Sequence, residues 1–138
     1  MDKKLKHLEM IQGVISRMAS NSFILKGGTV TLVAAIFTFG SNMADKPYYL
    51  AAFLPVIVFW GMDAYYLMQE RLFRSLYDKV RNLDENNVDF SMNTAEFAFR
   101  SGSNHKNSYF NCLLSKTVLW FYFPLALISA TIIVITCL

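Results

Sequence analysis

The sequence predicts an all-α membrane protein: three transmembrane helices, long cytosolic helical extensions, and a small cytosolic insert with the pattern of a β-hairpin. Three observations carry this. The 138-residue chain is 54% hydrophobic, too apolar for a soluble domain with room for one core. Residues 23–40, 48–67 and 118–138 each approach the roughly 20 apolar residues needed to cross about 30 Å of hydrocarbon. Twelve of the thirteen lysines and arginines fall on one side of those spans, which makes that side cytoplasmic.

Residues 1–22 come first. Leu8, Ile11, Ile15 and Met18 recur at spacings of three and four, the period of an amphipathic helix. A segment of this length is not the short basic region of a cleaved signal peptide, so the first span (23–40) is read as retained. It carries Lys26 near its start, the second span (48–67) carries Asp63 near its end, and the third (118–138) has no charge. Tyr48, Tyr49, Trp60, Tyr65, Tyr66, Trp120 and Tyr122 gather where interfaces are expected.

The turn at 41–47 holds Lys46, the one basic residue on the far side. Asp45 is a candidate N-cap and Pro47 a first-turn proline, so one helix is expected from about 47 to 82, roughly 54 Å long. Its cytosolic part, 68–83, places Leu72, Leu76, Val80 and Leu83 on one face, with Glu70–Arg74 and Arg74–Asp78 at i,i+4 spacing on the other. If the two long helices form an antiparallel hairpin, facing residues have numbers summing to about 88 to 91. Met18 with Leu72, Ile15 with Leu76, Ile11 with Val80 and Leu8 with Leu83 meet that condition, and Lys26 falls level with Asp63.

The insert spans 84–115. Asp84 to Asn87 read as a turn. Val88, Phe90 and Met92 alternate, as do Ala95, Phe97 and Phe99, which predicts two short strands around Asn93 and Thr94. The alternative is a helical turn capped by Ser91 or Asn93, with Glu96 near its start. Residues 101–104 read as a loop, and 107–116 as the start of the helix entering the membrane, with Phe110, Leu113 and Leu114 on its apolar side. Pro124 is expected to bend or break the third span. The resulting location is a bacterial inner membrane, N-terminus cytoplasmic and C-terminus external. Cys112 and Cys137 then lie on opposite sides, and no disulfide joins them.

The sequence argues against an enzyme. His7 and His105 lack partners at metal-ligand spacing and read as solvated, so no metal or cofactor is expected. Gly27-Gly28 lacks the lysine and hydroxyl residue of a phosphate loop, and no nucleophile motif is present. The net charge of +3, with acids interleaved where bases are dense, does not point to nucleic acid. Lys26 and Asp63 read first as a tether between two helices and second as a gating or ion-coordinating pair. Gly27, Thr31, Ala34, Ala35 and Thr38 form a small, weakly polar stripe in the first span. Packing within one subunit is the first reading of it; a self-association face or pore lining is the other.

The order of amphipathic helix, two close membrane helices and charged amphipathic helix, over Leu5 to Leu83, resembles the SLATT-type two-helix membrane domains, predicted effectors of bacterial conflict and nucleotide signalling. The stretch Phe59-Trp60-Gly61-Met62-Asp63-Ala64-Tyr65-Tyr66-Leu67-Met68-Gln69-Glu70-Arg71-Leu72-Phe73 also looks like small bacterial membrane proteins. The third span stands outside the two-helix pattern. The resemblance implies a homo-oligomeric pore or membrane-perturbing effector in antiviral defence, controlled from the cytosol by a protein or nucleotide regulator. The other class open to the sequence is a noncatalytic anchor that recruits a soluble partner through residues 88–106. A phage holin or small multidrug transporter fits less well, for want of a charged C-terminal tail in the first case and of four spans and an embedded glutamate in the second.

Overall fold

With no proline before residue 47, nothing interrupts the first helix, and in the computed structural model α1 runs unbroken over Asp2–Gly40, about 58 Å. The structure describes residues 2–42, 46–98 and 109–138. One stripe of α1 is buried: His7, Ile11, Val14, Ile15, Thr29, Val33 and Gly40. The helix stops at Gly40 because the chain turns back against it. A β-carbon there would sit 2.8 Å from the Tyr48 ring and 2.9 Å from the Tyr49 ring, and Tyr49 stacks on Phe37 at 5.7 Å.

The return begins as a 3-10 helix, Lys46–Ala52, and becomes α-helical only at Phe53, giving α2 over Phe53–Arg81. This corrects the expectation of one α-helix from residue 47. Pro55 supplies the reason. Deep in an α-helix it would leave the Ala51 carbonyl unpaired and clash with it, whereas in the first turn no intrahelical N–H is required. Lys79 and Arg81 occupy the last turn of α2, where cations offset the helix dipole.

α1 and α2 form an antiparallel hairpin with two cores. The stem, away from the Gly40 turn, buries Ile11, Ile15, Leu76 and Val80 together, flanked by Leu8, Phe73, Tyr77 and Leu83. Each fully buried aliphatic residue contributes about 1.5–3 kcal/mol where water is the alternative. The second core gathers Val33, Ala52, Val56, Val118 and Tyr122, within the helices apolar enough to span. On the stem surface Glu70 pairs with Arg74 at 2.8 Å. Asp78 lies 3.8 Å from Arg81, so the expected Arg74–Asp78 pair is replaced by an i,i+3 contact.

The insert departs from its expected pattern. Among the described residues there is no strand. Glu85–Asn87 is a 3-10 turn and α3 covers Ala95–Ala98. The Asn93 side chain accepts a hydrogen bond from the Ala95 N–H at 3.0 Å, as in the capping alternative. Alternation fails because Phe90 adopts φ +56°, outside the extended region. Asp45, Phe99, Arg100, the loop at 101–104, His105 and Lys106 lie outside the described residues.

The approach to the third long helix is also broken. α4 covers Tyr109–Leu113, and after extended Ser115 a new helix, α5, covers Lys116–Cys137 and continues through Pro124. Trp60 Nε1 donates to the Leu113 carbonyl at 3.0 Å, fastening α4 to α2. α5 packs mainly on α2 and less on α1. Among the described residues the architecture is all-α, with three helices long and apolar enough to cross a bilayer: α1, the stretch Tyr48–Arg81, and α5.

Candidate functional site

Residue spacing brings polar groups from all three long helices to a common level. Asp63 on α2 is 0% exposed. Its Oδ2 receives the Lys26 ammonium at 2.6 Å, and its Oδ1 accepts the Ser22 hydroxyl. Lys26 also donates to Ser22 Oγ at 2.8 Å. Ser22 and Lys26 are four residues apart on α1, so both project onto the same face toward α2. The ammonium sits 5.9 Å from the centre of the Phe121 ring on α5, within reach of a cation–π contact.

The third helix closes the cluster with Tyr122. Its ring is 1% exposed and its hydroxyl stands beside Asp63 and Thr29, but outside hydrogen-bond geometry. Thr29 Oγ1 donates to the Leu25 carbonyl at 2.7 Å. A carboxylate removed from water costs several kcal/mol unless it is paired and hydrogen-bonded; here an ammonium and a hydroxyl meet it. The Lys26 side chain keeps 20% exposure, so one edge of the pair is open.

Sequence reasoning paired Lys26 with Asp63 but passed over Ser22, one turn before Lys26, and placed Tyr122 in the interfacial belt. Trp120, two residues earlier, is 78% exposed and suits that belt; Tyr122 does not. His7, expected in solvent, is buried as well. It is 0% exposed, because the insert folds over it.

The small stripe faces outward. Gly27, Thr31, Ala34 and Thr38 are exposed and Ala35 is half-buried, with no heavy atom within 4 Å of a β-carbon built on Gly27. The hydroxyls of Thr31 and Thr38 return to the Gly27 and Ala34 carbonyls at 2.9 and 2.8 Å. Those four residues therefore keep much of their surface outside the chain's own packing, and the two threonine hydroxyls are satisfied within α1. Of the stem residues, Ile11, Ile15, Leu72, Leu76 and Val80 are buried, while Leu8, Met18 and Leu83 are half-buried.

Comparison with protein-family models, curated proteins and solved structures found no match. Among the described residues no group of three histidines, cysteines or acids converges as metal ligands. The cluster is an ion pair with one hydroxyl partner, suited to joining helices or responding to charge.

Proposed function

We propose that this chain is a multi-pass inner-membrane protein whose copies assemble into a pore or membrane-perturbing effector, controlled through the cytosolic stem. The outward stripe carries the reading. Gly27, Thr31, Ala34 and Thr38 are exposed along one helix, and in lipid small residues mark surfaces where helix backbones approach closely. Only 17% to 22% of each apolar window is buried within the chain, so the cover for the remainder comes from lipid and neighbouring copies. The charge distribution supports an N-terminus in the cytoplasm and a C-terminus outside. The likeness of organisation to SLATT-type domains favours the effector class, with a cytosolic protein or nucleotide as regulator.

In this reading the Lys26–Asp63 pair holds α1 and α2 in register near the cytosolic end of the spans, and Tyr122 brings α5 against the same point. The stem transmits movement to that junction. Purified protein reconstituted in dye- or ion-loaded liposomes tests the function. An assembly of several chains that conducts supports it. A monomer without flux that binds a cytosolic partner stoichiometrically establishes the anchor reading instead.

A further inference from the structure

We infer that residues 84–98 form a latch that closes on the stem tip through His7 and opens as a unit while the membrane helices stay folded. The inference rests on the reading of the stem as the cytosolic control element and names the part that moves. His7 is fully buried. Its Nε2–H donates to the Ser91 carbonyl at 3.0 Å, a contact joining residues 84 apart in sequence, and its ring lies 5.5 Å from that of Phe90. Met92 and Phe97 pack on the Ile11, Ile15, Leu76 and Val80 core. Lys79 reaches across to Glu96 at 2.7 Å.

The latch is fitted to open because what holds it is offset by what it costs. His7 Nδ1 is buried with no hydrogen-bond partner, an arrangement that charges folding for a desolvated polar atom. Phe90 holds φ +56°, a conformation that bulky side chains rarely occupy and that is found where surrounding structure imposes it. The Lys79–Glu96 pair has both side chains about half exposed, where such pairs contribute little. Within 84–98 the polar bonds are mostly local: Asp89 to the Ser91 N–H, Ser91 to the Asn93 N–H, and Asn93 to the Ala95 N–H. The segment can therefore keep its own shape as it leaves. A segment whose polar bonds close largely within itself and whose ion pair to the stem is half exposed is fitted to open locally.

Hydrogen exchange on the full chain in nanodiscs tests this. His7→Ala should speed amide exchange at 88–97 and 80–83 by tenfold or more and leave α5 and residues 53–67 unchanged. His7→Gln, which keeps a donor near the Nε2 position, should fall closer to wild type. Phe90→Gly, which relieves the strained φ, should open several-fold less than Phe90→Ala. No response to His7→Ala, or a uniform rise across stem and spans, overturns the latch. Flux recorded alongside separates the two claims. An exchange response with no flux from any variant leaves the latch standing and removes the pore; flux with exchange unmoved by His7→Ala does the reverse.

Discussion

Lys26 Nζ lies 2.6 Å from Asp63 Oδ2, joining the two long helices across 37 residues of sequence at the level where Tyr122 of the third helix is buried. A pair of this kind is costly to break and cheap to remove. Asp63→Ala strands the ammonium and should destabilise the fold by about 3–5 kcal/mol, whereas the double change Lys26→Met with Asp63→Leu should cost far less. Thermal unfolding in detergent compares them directly; equal losses would mean that the two charges do not act as a pair.

Gly40 and Gly13 should respond in opposite directions to alanine. At Gly40 a β-carbon meets two tyrosine rings within 3 Å, and overpacking of that kind costs about 1–3 kcal/mol. Gly13 is exposed in mid-helix with nothing nearby, so alanine should stabilise by about 0.5–1 kcal/mol. Melting midpoints of the two variants check the sign.

The two cysteines should react at different rates. Neither is in a disulfide; Cys112 is buried and Cys137 exposed. Burial pushes the Cys112 thiol up, with partial opposition from the Arg71 guanidinium beside it. A raised value keeps the reactive thiolate scarce at neutral pH and restores it as pH climbs. Alkylation near pH 7.5 should modify Cys137 first, with Cys112 at least about tenfold slower and closing the gap above pH 9. Equal rates at neutral pH would show the α4 packing to be open.

The proposed orientation rests on the basic residues. In a cysteine-free background, Lys46→Cys should label from outside intact cells and Lys3→Cys only after permeabilisation. Labelling of Lys3→Cys from outside would reverse the topology.

The parts of the structure legible in the sequence are those governed by helix period. Lys26 and Asp63 could be brought level by number alone, as could Ile11 with Val80, because an uninterrupted helix has a fixed rise. Pro55 shows where that reasoning stopped too early: the 3-10 start of the second helix was written in a proline that passes unnoticed within an apolar run. Tyr122 was ambiguous on chemical grounds. A tyrosine near a span end suits both the interfacial belt and a polar core, and only the docking of the third helix decides between them. His7 was hidden for a related reason. Its burial depends on residues 84 positions away, and the alternation that suggested strands at 88–92 gives no sign that Phe90 breaks it with a positive φ.

If the outward face of the first span joins copies of the chain, the mass of the detergent-solubilised particle depends on that face. Ala34 is exposed in the single chain, so Ala34→Leu leaves the internal packing intact and disturbs only what lies against that face. Ile57→Leu, a volume-conserving change at another exposed position, serves as the control. Light scattering should give a multiple of the 15.8 kDa chain for wild type and for Ile57→Leu, and a smaller particle for Ala34→Leu. An unchanged multiple for Ala34→Leu, or a monomer for all three, would mean that this face does not join copies of the chain.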